Sequence, residues 1–268
     1  MAQGSKRPVT PVEKPFLTGS PRDERTLKAA AGFLGLLLAA MSLTFLVCTV
    51  LGTASLPIRV VLNGMAEILV LTAFFGRGAA LGTEAVARGE IQYQRQERGE
   101  PVADSEKAMC FHPWKGFVTA LIGSAPVLIC ALGLALTARR QMTGAGTLPS
   151  WISPYMSRAD VGDALAGYTA SAPIGVVDVL RIIIRIAIMP FISMISVENR
   201  DGLLLLERLS PVLVMLPGLA YGLGYLQGKA QRTKIHTGIA ENNRRRAKKE
   251  RKTRKARISE PKRPEQLN

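Results

Sequence analysis

Cysteine, histidine and aromatic residues are scarce in this chain, and each shortage argues against a class of function. The three cysteines, Cys48, Cys110 and Cys130, stand far apart, with no CxxC spacing and no adjoining histidine. That argues against a zinc site or a redox pair and assigns them to packing as small apolar residues. The two histidines, His112 and His236, have no catalytic or ligand-forming neighbour in sequence. Gly76-Arg77-Gly78 lacks the GK[ST] continuation of a phosphate loop, and neither HExxH nor a Ser-centred elbow occurs. The reading is therefore non-catalytic, with no cofactor and no metal. A polar stretch long enough for an ordinary soluble domain is also missing once the apolar blocks are set aside.

What is present is a set of long uncharged runs. Ala29–Leu56 holds 28 residues without a charge. As a helix it would be about 42 Å long, more than the roughly 30 Å of a bilayer's hydrocarbon core. Val60–Phe75 follows closely, interrupted by Asn63 and Glu67, so the two blocks predict an antiparallel hairpin. Gly116–Ala138 gives 23 uncharged residues with Pro126 near the middle, where a bend is expected. Leu209–Gly228 gives 20 more, with Glu207 and Arg208 at its entrance.

The fold class is an all-α membrane protein. It is read as a bundle of four transmembrane helices, about 29–52, 59–79, 116–138 and 205–227, plus one amphipathic interfacial or re-entrant helix at about 173–197. Five spanning helices are the alternative. Residues 1–28, with four prolines and six Lys/Arg, read as a disordered basic segment. Residues 29–228 form the membrane domain, and 229–268 a basic cytoplasmic tail. A cleaved signal peptide ending near Gly52-Thr53-Ala54 competes with an uncleaved anchor. The apolar run exceeds the usual 7–15-residue core of such peptides, which favours the anchor.

Charge decides the sidedness. The chain carries a net +15, of which the 40 residues from Lys229 supply +11. Lysine and arginine beside spans stay in the cytoplasm, so both ends are expected inside, in a multi-pass protein of the cell membrane. An even number of crossings follows, and 173–197 is the block demoted, because Asp178, Arg181 and Arg185 share one helical face. Loop 80–115 then lies inside. Its stretch Thr83–Glu100 reads as a helix in water with little apolar face, and Phe111–Lys115 as an interfacial cluster. Trp151, Tyr155 and Tyr168 suggest an interfacial position for the loop Arg139–Ala172 as well.

Glu67 is the first candidate for chemistry, because a carboxylate inside an apolar helix is costly and tends to face a helix–helix interior or a polar path. Asn63, Glu67, Asp178, Arg181 and Arg185 make up a possible polar intramembrane site, in which Glu67 is protonated, paired with Arg181 or Arg185, or part of an ion pathway. The competing reading puts Glu67 near the outer surface and the two arginines at the lipid phosphates. Gly218-xxx-Gly222 and Gly224-xxx-Gly228 allow close helix contact, more within the chain than between chains.

In the tail, Arg244, Arg245, Arg246, Lys248, Lys249, Arg251, Lys252, Arg254, Lys255 and Arg257 form a solvated, disordered polybasic run. Its expected partners are the bilayer's anionic headgroups, or a membrane or cytoplasmic protein. Nucleic acid is disfavoured, since no aromatic is interleaved for stacking. Two functions remain: a non-catalytic membrane protein whose basic ends contact lipid or a partner, and a small transporter, channel or transporter subunit using Glu67 and the Arg181/Arg185 face.

Overall fold

Uncharged runs rich in leucine and alanine satisfy their own backbone groups best as helices. The computed structural model describes residues 12–138, 155, 158–162, 175–195 and 199–259, and these are helical with short connections and no strand among them. Four helices are long and apolar enough to cross a membrane: α1 (Thr26–Leu51), α2 (Leu56–Glu97), α4 (Lys115–Thr137) and the Asp201–Thr253 part of α7 (Arg200–Ser259). The others are short: α3 (Asp104–Ala108), α5 (Val176–Ala187) and α6 (Met189–Ser193). With 12 residues, α5 is about 18 Å long and cannot cross.

Local chemistry sets the boundaries. The backbone N–H of Asp23 donates to Thr26 Oγ1 at 2.8 Å, and that hydroxyl donates back to Asp23 Oδ1 at 2.6 Å, which fastens the start of α1. Pro57 stands in the first turn of α2, where its missing N–H costs nothing. Gly99, with φ of 79°, turns the chain after α2. Pro190 separates α6 from α5.

α2 lies along α7 at backbone contact. A Cβ at Gly78 or Gly82 would collide with the backbone at Tyr221 or Tyr225, and one at Gly224 or Gly228 with the backbone at Phe75 or Gly82. Each helix thus offers a small-xxx-small pair, and the two interlock. Gly224 and Gly228 pack within the chain, as expected, while Gly222 faces Phe117 on α4. α4 rests on α7 and α1. Phe33, Phe74 and Tyr221 centre the core, with ring centroids 5.2 Å apart in both the Phe33–Phe74 and the Phe33–Tyr221 pair. α1 and α2 run antiparallel, since Cys48 meets Asn63 and Phe33 meets Phe74.

Several expectations change. α2 runs unbroken through Gly76–Gly82, and its continuation, expected to lack an apolar face, buries Ala85, Val86, Gly89 and Glu90. Small residues, invisible to a hydropathy count, make that face. The tail, expected to be disordered, is helical to Ser259. It extends a helix already packed, so no nucleus must form, and Glu241–Arg245 adds an i,i+4 pair at 2.6 Å. In the segment read as disordered leader, Val12–Arg25 is fastened to the helices. Val12 N–H donates to Thr237 Oγ1 at 3.1 Å, Leu17 N–H to Gly89 O at 3.1 Å, and Gly19 N–H to Phe111 O at 2.9 Å. The expected interfacial cluster divides: Phe111 stacks on Tyr225 and Lys115 is buried, while Trp114 is exposed. The readings of residues 1–11, Trp151, Tyr168 and 260–268 fall outside the described residues.

Candidate functional site

Hydropathy makes α5 amphipathic, and the fold turns it inside out. Arg181 lies one turn before Arg185, so both guanidinium groups reach the same place on α7. Glu207 occupies that place, only 3% exposed. Its Oε1 accepts from Arg181 Nε at 2.9 Å, from Arg185 Nε at 3.0 Å and from Arg185 Nη2 at 2.7 Å. Asp178 accepts from Arg181 Nη1 at 3.3 Å and from the Gly175 N–H at 3.0 Å. Ser210, one turn along α7, donates to the Glu207 carbonyl at 2.8 Å. Val176, Val179 and Ile182 point outward, Ile182 being 59% exposed. An amphipathic helix on a water-facing surface would show the opposite arrangement. Arg181 and Arg185 thus share Glu207 as an ion-pair partner.

A second polar group joins α1, α2 and α6. Cys48 Sγ–H donates to Asn63 Oδ1 at 3.2 Å, Asn63 Nδ2 donates to Ser193 Oγ at 2.6 Å, and Ser193 Oγ donates to Pro190 O at 2.9 Å. All three side chains are buried. The bonds satisfy Asn63 away from water and tie the short α6 to the hairpin.

Glu67, one turn further along α2, joins neither group. It is half-buried and lines a cavity of about 30 Å³ with Thr44, Met41, Phe191 and Pro217. Such a space holds one or two waters. The cavity also touches Leu37 and Val127, near the middles of α1 and α4. Glu67 thus faces inward, away from the outer-surface position that would let it snorkel. It does not meet Arg181 or Arg185, whose partner is Glu207. The five residues read as one polar site divide into an arginine pair with Asp178, an asparagine knot, and Glu67, which has no hydrogen bond or ion pair among the described residues.

A second charged cluster sits where α2 and α7 continue together beyond the apolar stretch. Glu90 is buried and accepts from Arg232 Nη2 at 2.8 Å, while His236 Nε2 lies 2.7 Å from its other oxygen. Burial alone would raise the Glu90 carboxyl, but hydrogen bonds from Arg232 and His236 bring it below its ordinary value. His236, read as solitary, has this partner through the fold. Nearby, Lys115 Nζ lies 2.7 Å from Asp23 Oδ2, joining α4 to the N-terminal segment. Burial opposes that charge too, and the Lys115 ammonium with the Thr26 hydroxyl holds Asp23 below its usual range.

Sequence reasoning missed Glu207, Glu90, Arg232 and Ser193. The signal for Glu207 was available: it adjoins an uncharged run, where a carboxylate needs a cationic partner. The polybasic residues Arg244–Lys252 stand exposed on α7, and the side chains of Arg254, Lys255 and Arg257 fall outside the described ones. No group of three or more His, Cys, Asp or Glu side chains among the described residues is placed to hold a metal ion. Comparison with protein-family models, curated proteins and solved structures finds no match to this chain.

Proposed function

We propose that the protein is a non-catalytic, multi-pass protein of the cell membrane. Its four apolar helices cross the bilayer, α5 and α6 re-enter without crossing, and both ends lie in the cytoplasm. The inside-out α5, with aliphatic side chains outward and paired charges inward, supports lipid as its surroundings. The bond from Val12 to Thr237 supports an even number of crossings, because it joins the segment before α1 to α7 beyond its apolar run.

Its role is to hold a basic helix out toward an acidic cytoplasmic partner. The carrying observation is the unbroken course of α7. Arg244 follows Gly228 by 16 residues and Lys252 follows it by 24, about 24 and 36 Å along a helix. α2 braces α7 as far as the Glu90 cluster. Headgroup attraction fades over a Debye length of about 8 Å, so a braced helix at that reach favours a partner over the protein's own bilayer. The transporter reading gains no such support, since among the described residues the cavity at Glu67 is not lined by Arg181 or Arg185.

The test is depth. Lys252→Cys, labelled with a fluorophore in nanodiscs containing anionic lipid, should be insensitive to quenchers carried on lipid headgroups. Strong quenching would make the tail a lipid anchor and overturn the partner reading.

A further inference from the structure

α1 and α2 touch at Phe33 and Phe74, and a cleft of about 750 Å³ lies between the first turns of α1 and the Arg77–Arg88 part of α2. That volume is within the roughly 300–1,000 Å³ of ligand pockets. Its floor is apolar, built from Ala29, Gly32, Phe33, Leu36 and Leu81. Its rim is charged, and the charges do not balance. Both acids are already engaged, Asp23 with Lys115 and Glu84 with Arg88. Arg25, Lys28 and Arg77 are exposed on the same rim, and no carboxylate pairs with them among the described residues. The N-terminus of α1 adds the positive end of its dipole.

The level of these cations matters. Lys28 is the last charge before the uncharged run of α1, so it marks the edge of the apolar zone. Arg77, on the antiparallel neighbour, lies about half a turn, roughly 3 Å, inside that edge, by the register that pairs Phe33 with Phe74. A cation there, beside an open apolar floor, suits a ligand with a negative head and a hydrocarbon body.

We propose that this cleft binds one anionic phospholipid, its phosphate held by Arg25, Lys28 and Arg77 and an acyl chain laid along Gly32, Phe33 and Leu36. The site rests on the membrane reading but on none of the residues assigned to the tail. Gly32 makes the floor deep, because a Cβ there would meet nothing within 4 Å.

The full-length chain in mild detergent, examined by native mass spectrometry with phosphatidylglycerol and phosphatidylcholine of equal chain length, decides this. The wild type should retain one phosphatidylglycerol with about a tenfold preference. Arg25→Gln with Lys28→Gln and Arg77→Gln should remove the preference. Gly32→Leu, which the open space tolerates, should weaken retention of the lipid while melting like the wild type. Arg244→Gln with Arg245→Gln and Arg246→Gln should change nothing here, so failure of this site and failure of the tail reading are separable. Equal retention of the two lipids, a preference that survives the rim substitutions, or no effect of Gly32→Leu would overturn the proposal. Displacement by glycerol phosphate as readily as by lipid would do the same, because the apolar floor would then contribute nothing.

Discussion

Glu90 and Glu207 are both buried carboxylates, each held by two side chains from another turn or another helix, yet what surrounds them differs. Glu90 lies where α2 shows Gln94, Arg95 and Glu97, and α7 shows Lys234, to the outside. Glu207 lies where the outside is Val176, Ile182, Leu205 and Val212. One ion pair lines a charged pocket with Glu13, Lys14 and Lys229, whereas an aliphatic coat covers the other. The same pairing chemistry therefore carries different weight. Near water an abandoned charge can be rehydrated, whereas beneath an aliphatic coat it cannot.

The largest expected effect breaks that contrast directly. Glu207→Ala leaves two guanidinium groups without their common carboxylate, at about 3–5 kcal/mol. Glu90→Ala should cost roughly 1–2 kcal/mol, with a part that shrinks as salt is raised. Unfolding in detergent at low and high ionic strength reads both, and equal, equally salt-sensitive losses would abolish the distinction. The next effect tests the seam joining the two regions. Gly82→Ala should cost about 1–3 kcal/mol, because the methyl meets the Tyr225 backbone, whereas Gly35→Ala has open space and should be near neutral. Thermal melting with size-exclusion profiles compares them.

The smallest effect is acid sensitivity, and it belongs to the water-facing region. Asp23 and Glu90 have folded values below their ordinary ones. Their contribution is thus complete above the ordinary carboxylate range near pH 4 and is lost as pH falls through the lower folded values. Asp23→Asn with Glu90→Gln should flatten the stability curve there. An unchanged curve in the double variant would move the acid-sensitive groups elsewhere.

Hydropathy alone located the four long apolar helices, because three of them carry an uncharged run of 20 or more residues, which has few other uses, and the fourth is apolar apart from Asn63 and Glu67. It could not foresee the orientation of α5. A 12-residue helix with three charges reads as a surface element until its counter-ion is known, and Glu207 stands 22 residues beyond Arg185. It also missed the seam, since only their partners on α7 reveal the use of Gly78 and Gly82. The polybasic run was legible as charge. Its helical state was not, because that depends on the braced helix before it. Glu67 was legible as unusual, and its separation from the arginines is a property of the tertiary fold.

The bonds from Val12, Leu17 and Gly19 reach forward to Thr237, Gly89 and Phe111, so the segment that precedes every helix takes its seat on elements made later. During synthesis its Val12 end must wait, unsheltered, until the last long helix has been made. Its docking is then a record that assembly has finished. A protease acting on that segment would distinguish newly made, half-inserted chains from mature ones.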